Sequence, residues 1–306
     1  MALAVIDIGT NTVLLLVAEI DASGKIITLE YRQRVPRLGR GVDSRRFLQR
    51  DSMERVVQVL LEFRAIADGH HPDVIAVCGT SAVRDAANRD EFAALIKQRT
   101  GFDLEILTGE EEALWTYRGA VSGVPGLARA TVVDIGGGST ELTTGTAQVI
   151  THRVSLDIGS VRLTERHLQH DPPLAAEIAA TRNAIISGLA SLPSTIPGEA
   201  GRVVGVAGTA TTLALLAQKR RGFDLQAVSG FVLRRDAIRR LVSELESSSN
   251  GQILRLADYM EGRNDIITAG AIILEEVIGF LGAEEIIVSE RGVRYGIAIR
   301  EWEKRK

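Results

Sequence analysis

Two short stretches of the sequence decide the fold: AVIDIGTNT at residues 4–12 and TVVDIGGGSTEL at residues 131–142. Each begins as a short apolar run, which predicts a buried strand, and passes through Asp-Ile-Gly into a turn of small or hydroxyl-bearing residues. A second strand-like run follows each turn. Because this pattern occurs once in each half of the chain, we predict a duplicated domain whose two turns face one central cleft.

Strand-like runs and helical patterns alternate through the rest of the chain, which indicates an α/β fold. We predict further strands at residues 74–78, 104–107, 203–207 and 286–289. The helices predicted after them lie at residues 81–98, 110–120, 210–218 and about 293–305.

A turn-rich segment, SGVPG at about 122–126, separates the two halves and is predicted to be a hinge. The first domain is therefore predicted at residues 1–124 and the second at residues 127–290. The last predicted helix follows a strand of the second half, and we expect it to cross back and join the first domain as residues 293–306.

The composition is that of an ordinary globular protein, with 45 % hydrophobic residues, 25 % charged residues and a net charge of −3. No apolar run approaches the roughly 18 residues of a membrane-spanning helix, and the N-terminus lacks the basic segment of a signal peptide. The one cysteine, Cys78, lies in an apolar run and is predicted to be a buried side chain rather than a nucleophile. We therefore expect a cytoplasmic protein that binds neither membrane nor nucleic acid.

Residues 31–50 contain seven arginines, whereas Asp43 is the only acidic residue in that stretch. One interpretation is a solvated arginine-rich loop. The other is a basic track for a phosphate-rich ligand, because the planar guanidinium group binds phosphate oxygens in pairs. The charge pattern alone does not choose between them.

The run of three glycines and a serine at residues 136–139 predicts a phosphate-binding loop. Glycines permit positive φ angles, so that several backbone N–H groups can converge on one anion, and the Ser139 hydroxyl is a further donor. A tight hairpin is the alternative, but three consecutive glycines exceed what a hairpin needs. The Gly-Lys-Ser/Thr sequence of a Walker loop is absent.

Asp7 and Asp134 end the two defining strands, and Glu141 lies on the strand after the glycine run. A carboxylate at the end of a buried strand must be paired, hydrogen-bonded or bound to a metal ion. An Asx turn explains either aspartate alone. Their duplication beside two turns favours Mg²⁺, which prefers carboxylate, water and phosphate oxygens.

Three other features have two explanations each. The acids at residues 110–112 open a helix, where they either stabilise its dipole or include a base that orients water. Arg84 also opens a helix, so it forms either an ion pair with Asp85 or Glu91 or a contact to the ligand. The Gly/Thr-rich turn at 205–212 is either an anion contact or a close helix–strand packing site.

Eight motifs occur in an order that resembles the exopolyphosphatase / guanosine pentaphosphate phosphatase family. They are DIGTNT at 7–12, RLG at 37–39, TSAVR at 80–84, GEEEA at 109–113, DIGGGSTE at 134–141, SLDIGSVRLTE at 155–165, GT at 208–209 and RGVRYG at 291–296. The resemblance covers nearly the whole chain, and because eight motifs contribute, it is specific. Longer members carry an additional C-terminal helical domain, so the sequence resembles the short form.

This resemblance implies the two-domain α/β fold of actin, the sugar kinases and the heat-shock ATPases. It also implies that Glu112 is the catalytic base, because Glu112 precedes the alanine of the Glu-Glu-Ala motif. The resemblance and the strand pattern together give the expected metal ligands Asp134, Glu141 and Asp7. With the two turns included, the expected phosphate-binding residues are Gly9, Thr10, Asn11, Arg84, Gly136, Gly137, Gly138, Ser139 and Arg263.

The implied reaction is hydrolysis of the terminal phosphate of inorganic polyphosphate by in-line attack of water, with Mg²⁺ as cofactor and Mn²⁺ as the alternative metal. Guanosine pentaphosphate, whose 5′ end is a short phosphate chain, is the alternative substrate. Two other classes of function are a kinase, which the same fold also supports, and a non-catalytic sensor of phosphate-rich ligands. Dimerisation is common in the family, so a homodimer is expected.

Overall fold

A computed structural model describes residues 1–124, 126–146, 149–199 and 201–306. The chain divides into two compact units, Met1–Gly119 with Val293–Lys306 and Ala120–Gly292. This division precedes the hinge predicted at 122–126, of which Pro125 lies outside the described residues. The C-terminal segment belongs to the first unit.

The structure contains two sheets and the helices that cover them. The strands are β1 Ala2–Ile8, β2 Val13–Ile20, β3 Ile26–Arg34, β4 Val74–Gly79, β5 Leu104–Ile106, β6 Ala130–Ile135, β7 Thr140–Gly145, β8 Ile150–Leu156, β9 Arg202–Val206, β10 Val232–Arg234 and β11 Glu285–Val288. The helices are α1 Val42–Arg45, α2 Arg50–Asp68, α3 Ser81–Arg84, α4 Arg89–Thr100, α5 Gly109–Ser122, α6 Ser160–His167, α7 Ala175–Ala190, α8 Thr195–Glu199, α9 Ala207–Ala217, α10 Leu225–Val228, α11 Arg235–Glu246, α12 Asn250–Leu254, α13 Ile267–Phe280 and α14 Val293–Glu303. A short 3-10 helix lies at Asp258–Met260.

The sheet of the first unit has the order β3-β2-β1-β4-β5. The first three strands are antiparallel neighbours, whereas β1, β4 and β5 are parallel. Side chains of β1 alternate between two cores, as the pleat requires. Ala4, Ile6 and Ile8 pack in the core that includes α2 and α4, whereas Leu3 and Val5 pack in the core that includes α14. The sequence of β1 is therefore apolar at nearly every position.

The sheet of the second unit has the order β10-β11-β9-β6-β7-β8. Its strands β6, β7 and β8 are antiparallel neighbours, β6, β9 and β11 are parallel, and β10 is an additional antiparallel strand at the edge. Apart from β10, this arrangement repeats that of the first unit. The repeat confirms the predicted α/β fold with duplicated actin-like domains.

Two predicted helices differ from those in the structure. The helix predicted at 81–98 is wrong, because α3 and α4 are separated at residues 85–88. The Asn88 side chain there exchanges hydrogen bonds with the backbone of Leu48, at 2.9 and 3.1 Å, which anchors the interruption. The helix predicted from 210 begins earlier, because Ala207, with φ of 64°, joins α9 directly to β9.

The single cysteine behaves as its sequence context predicts. Cys78 is buried in β4, and burial raises the pKa of its thiol. A buried, protonated thiol is a poor nucleophile. Separately, none of the helices in the described residues is both long and apolar enough to cross a membrane.

Candidate functional site

The first Asp-Ile-Gly turn connects β1 to β2 and is stabilised by a neighbouring loop. The Gly9 N–H donates to the Thr12 carbonyl at 2.9 Å, which closes the turn. The Gly39 N–H donates to the Thr10 carbonyl at 2.8 Å, and the Arg37 N–H donates to Asn11 at 3.1 Å. A Cβ atom on Gly39 would lie 2.2 Å from the Thr10 side chain. The RLG motif therefore supports the turn, and its glycine permits the close approach.

Asp7 lies at the end of β1 with only 8 % of its surface exposed. Its Oδ1 atom is buried and, among the residues that the structure describes, accepts no hydrogen bond. Burial raises the pKa of Asp7 to about 7, while the charge of Arg294 lowers this pKa and that of Glu112 raises it further. A buried carboxylate oxygen without a donor is suited to a cation, so Asp7 fits the metal ligand expected from the sequence.

Arg294 is a residue of this region to which the sequence assigned no role. It lies in α14, is buried, and places its guanidinium group 4.9 Å from the centre of the Tyr31 ring. Its Nη1 atom is buried and has no hydrogen-bond acceptor within the described ranges of the chain. A sequence signal existed, because Arg294 belongs to the RGVRYG motif, but a surface position at the start of a helix was equally compatible with the pattern.

Glu112 is the buried member of the three consecutive glutamates that open α5. Glu110 and Glu111 are exposed, and Glu111 accepts hydrogen bonds from the N–H and the hydroxyl of Thr108, both at 2.9 Å. Glu111 therefore stabilises the start of the helix. Burial distinguishes Glu112, which is the position that the family resemblance implied.

Arg84 pairs with Glu112 rather than extending into solvent. Its Nη1 atom lies 2.8 Å from Oε2 of Glu112 and also donates to the Leu107 carbonyl at 3.0 Å. Burial raises the pKa of Glu112, the charge of Arg84 lowers it, and Asp85 raises it. An ion pair was one of the two sequence-based explanations for Arg84, but the partner is the predicted base.

The glycine loop at 136–139 is held by the first turn of α6. The carbonyl of Gly136 accepts from the Ser160 N–H at 2.9 Å, and the carbonyl of Gly137 accepts from the Val161 and Arg162 N–H groups. The Gly138 carbonyl accepts from Nε of the buried Arg162 at 2.6 Å. Three successive carbonyls of the loop therefore point toward α6.

This arrangement fixes the direction of the loop amides. In a trans peptide the N–H group points opposite to the carbonyl of the same unit. The N–H groups of Gly137, Gly138 and Ser139 therefore point away from α6. In the described parts of the chain, these three groups donate to no protein acceptor. They form a set of oriented donors that is suited to phosphate oxygens.

Gly159 makes this packing possible. A Cβ atom there would lie 2.4 Å from the Gly137 carbonyl oxygen and 2.5 Å from the Gly138 carbonyl carbon. Gly159 lies within the SLDIGSVRLTE motif, but the sequence pattern alone indicates no role for it. The signal was a third Asp-Ile-Gly, at residues 157–159, which again follows a strand.

Asp134 and Glu141 are cross-strand partners at the ends of β6 and β7. Both are buried, and Oε1 of Glu141 accepts a hydrogen bond from the Ser155 hydroxyl at 2.6 Å. Two carboxylates at directly opposite positions repel each other unless a cation or a proton lies between them. The pair therefore fits the cation site that the sequence predicted.

Arg263 lies at the second Gly/Thr-rich turn of this unit. Its Nη1 atom donates to the Thr212 hydroxyl at 2.9 Å, and the missing side chain of Gly208 leaves space beside the same atom. The Thr209 hydroxyl in turn donates to the carbonyl of Ile135, the last residue of β6. The start of α9 and Arg263 thus lie next to the strand that leads into the glycine loop.

The predicted residues are therefore grouped within each unit. The first unit brings Asp7, Arg84 and Glu112 toward the turn at 9–12, and the second brings Asp134, Glu141 and Arg263 toward the loop at 136–139. Within the described ranges, no group of three or more His, Cys, Asp or Glu side chains is arranged to hold a metal ion. A Mg²⁺ ion bound here would need water or substrate oxygens as further ligands, as this ion usually has.

Comparison with known proteins gives consistent matches along the chain. The model of the Ppx/GppA phosphatase family matches residues 16–305. Exopolyphosphatase 2 of Mycobacterium tuberculosis is 37 % identical over 311 residues, covering 97 % of each protein. The structure of the Aquifex aeolicus member of the Ppx/GppA protein family is 31 % identical, with a TM-score of 0.84 over 100 % of this chain and 99 % of its own. An exopolyphosphatase structure from Cytophaga hutchinsonii is 28 % identical, with a TM-score of 0.92 over 99 % and 98 %.

Replacing Gly159 by alanine should displace the glycine loop. The added methyl group overlaps the loop backbone, which has no flexible side-chain end that can move aside. We expect kcat/KM for phosphate release to fall by at least about 10²-fold, the loss that follows removal of an oriented donor. Gly222→Ala is the control, because a Cβ atom at Gly222 meets nothing within 4 Å. Normal kcat/KM in Gly159→Ala would show that the loop does not depend on this contact.

Asp7→Asn should stabilise the metal-free protein at alkaline pH. Because the pKa of Asp7 is about 7 in the folded state, the folded protein keeps this proton up to a pH of about 7, whereas an unfolded chain releases it near the ordinary aspartate pKa of 3.8. The free energy of unfolding of the parent protein should therefore fall as pH rises between these values, and the buried charge costs up to about 4 kcal/mol above them. The asparagine variant avoids this loss.

The measurement is urea unfolding at pH 4 and pH 8 in the presence of a chelator, with Asp21→Asn as the control. Asp21 is exposed, and a hydrogen bond from the Ser23 hydroxyl lowers the pKa of its carboxyl group. Its replacement should therefore destabilise the protein at pH 8, which is the opposite sign. A stability difference between Asp7→Asn and the parent that does not change with pH would contradict the assignment.

Proposed function

Because the chain belongs to the Ppx/GppA phosphatase family, we propose that it is an exopolyphosphatase that removes the terminal phosphate of inorganic polyphosphate with Mg²⁺ as cofactor. The proposal rests on the second Asp-Ile-Gly turn. There the N–H groups of Gly137, Gly138 and Ser139 donate to no protein acceptor among the described residues, and the buried carboxylates of Asp134 and Glu141 are cross-strand partners. This combination supplies donors for phosphate oxygens and ligands for a hard cation. The similarity to exopolyphosphatase 2 favours polyphosphate over a nucleotide.

The loop amides bind the oxygens of the terminal phosphoryl group. Gly137, Gly138 and Ser139 present their N–H groups before substrate binds, since α6 fixes the opposite side of each peptide. Such preorganised donors stabilise developing negative charge without rearrangement. Gly136 and Arg263 complete the phosphate-binding residues of the second unit. In the first unit these are Gly9, Thr10, Asn11 and Arg84.

Asp134 and Glu141 would hold Mg²⁺, and Asp7 is the corresponding carboxylate of the first unit. When bound, the ion supplies positive charge to the phosphoryl and leaving-group oxygens. Glu141 is kept in position by the hydroxyl of Ser155, so one of its oxygens is oriented before the ion arrives. Mn²⁺ prefers similar oxygen ligands and is the alternative metal.

Glu112 accepts a proton from the attacking water. The water oxygen forms a bond to the terminal phosphorus while the P–O bond to the next phosphate breaks, and the products are phosphate and a chain shorter by one unit. Burial raises the pKa of Glu112 and strengthens it as a base, while the charge of Arg84 acts in the opposite direction and lowers this pKa. Their 2.8 Å contact also orients the carboxylate.

Other expectations remain predictions. The homodimer and the cytoplasmic location rest on the family resemblance and on composition, and guanosine pentaphosphate is the alternative substrate at the same site. A kinase would transfer phosphate to an acceptor in a nucleotide-dependent reaction. A ligand sensor would bind the phosphate-rich ligand without turnover.

The proposed substrate is tested by phosphate release with Mg²⁺ from tripolyphosphate, long-chain polyphosphate and guanosine pentaphosphate. We expect a higher kcat/KM for polyphosphate than for the nucleotide. A preference for the nucleotide would reassign the protein as a guanosine pentaphosphate phosphatase. Binding of both without phosphate release would support a sensor instead.

Glu112→Gln should reduce turnover by about 10²–10⁴-fold, because the amide cannot accept the proton of the attacking water. The KM for polyphosphate should change much less, since Glu112 does not hold the phosphoryl group. Glu111→Gln is the matched control, because it is the adjacent glutamate, it is exposed, and its side chain accepts hydrogen bonds from Thr108. Parent-level turnover in Glu112→Gln, measured by phosphate release, would refute its role as the base.

A further inference from the structure

The loop at residues 37–50, here called the arginine loop, is anchored by apolar side chains. Leu38, Val42 and Leu48 are buried in the core of the first unit. The residues between these anchors include Arg40, Arg45 and Arg46, which are exposed. The alternation of buried anchors and exposed arginines means that the loop packs firmly while presenting positive charge to solvent.

Backbone hydrogen bonds connect the two ends of the arginine loop to the rest of the unit. At its beginning, the N–H groups of Arg37 and Gly39 donate to the carbonyls of residues 11 and 10, respectively, in the first Asp-Ile-Gly turn. Near its end, the carbonyls of Arg46 and Leu48 accept from Ala87 and from the Asn88 side chain. The loop is therefore ordered before any ligand binds, which reduces the entropy lost on binding.

The arginines of this loop differ from those of β3 in their partners. Arg32 and Arg34, on β3, form ion pairs with Glu30 and Glu62. Among the described residues, the side chains of Arg40, Arg45 and Arg50 have no acidic partner. The loop contains a single acid, Asp43, although the whole chain has a net charge of −3. The positive charge of Arg40, Arg45 and Arg50 is thus left uncompensated in the loop that begins at the first Asp-Ile-Gly turn.

An inorganic polyphosphate chain suits this surface. It carries negative charge on every phosphate, and each guanidinium group can bind two phosphate oxygens. The loop begins at the turn proposed to hold the terminal phosphate, so a chain bound there has its next phosphates within the same region of the unit. A chain of only three phosphates offers fewer phosphate groups to these arginines than a long chain does.

We propose that the arginine loop is a binding surface for the body of a polyphosphate chain, with Arg40, Arg45 and Arg50 as its contacts. This inference rests on the proposed function, because it assigns the loop to the same substrate. Binding at this loop would make the enzyme selective for long chains by lowering their KM, whereas kcat, which reports the chemical step, would not change.

The test variant is Arg40→Gln/Arg45→Gln/Arg50→Gln, and the control is Arg221→Gln/Arg234→Gln/Arg255→Gln. The control removes the same charge from exposed arginines of the second unit. We expect the KM for long-chain polyphosphate to rise at least about tenfold at low salt in the test variant, with kcat and the KM for tripolyphosphate nearly unchanged. The slope of log KM against log salt concentration should fall by about 2, since each phosphate contact on a flexible strand contributes about 0.7.

The outcomes separate this inference from the proposed function. If the parent protein hydrolyses polyphosphate but the test variant keeps its KM for long chains, the loop assignment is wrong and the function stands. An equal rise of KM in the control variant would mean a general charge effect and would also overturn the assignment. If the parent releases no phosphate from either chain, the proposed function itself fails.

Phe47 provides an additional check on the ligand, because it is an exposed aromatic residue within the loop. A nucleic acid or nucleotide would stack a base on this ring, whereas inorganic polyphosphate has no base. Phe47→Ala should therefore leave the KM for long-chain polyphosphate unchanged. Tighter binding of a single-stranded oligonucleotide than of polyphosphate, lost in Phe47→Ala, would identify a different ligand and overturn the proposal.

Discussion

The contact between Gly159 and the glycine loop determines how the second unit presents the N–H groups that we propose bind phosphate. Because Gly159 has no side chain, the start of α6 approaches the loop closely enough to bond three of its carbonyls. Each bonded carbonyl turns the N–H group of the same peptide in the opposite direction. The donor set is therefore a consequence of helix packing, and the loop glycines alone would not produce it.

The duplicated turns share a backbone pattern but differ in chemistry. In both units the aspartate stands one residue before the end of the first strand, opposite a residue of the second strand. The partner of Asp7 is Leu14, whereas the partner of Asp134 is Glu141. At these two strand positions the second unit therefore has a pair of carboxylates suited to a divalent cation, whereas the first unit has one carboxylate, Asp7, whose pKa burial raises to about 7. The second unit is thus the better candidate for the principal ion site.

The local patterns in the sequence were sufficient to predict the fold, the duplicated turns and most of the candidate site. Each Asp-Ile-Gly marks a strand end within a few residues, so Asp7, Asp134 and the glycine loop could be located directly. The break between α3 and α4 could not be, because it depends on Asn88 bonding Leu48, which is 40 residues away in the chain. Residue spacing alone could not choose among the three adjacent glutamates for a similar reason, and it was the family resemblance that implied Glu112. The choice depends on burial and on the approach of Arg84, which helical periodicity does not encode.

Arginines in each unit offset the negative charge that the carboxylates of the candidate site would present to a phosphate-rich substrate. Asp7 and Glu112 in one unit, and Asp134 and Glu141 in the other, would repel a polyanionic substrate. Each unit also contains arginines with little exposure to solvent: Arg294 is buried and Arg84 half-buried in the first, and Arg162 and Arg263 are buried in the second. Arginine suits these positions better than lysine, because its guanidinium group is more weakly hydrated and stays protonated when buried. The carboxylates can then remain available to bind an ion or accept a proton, while the positive charge needed to attract phosphate comes from residues that cannot lose it.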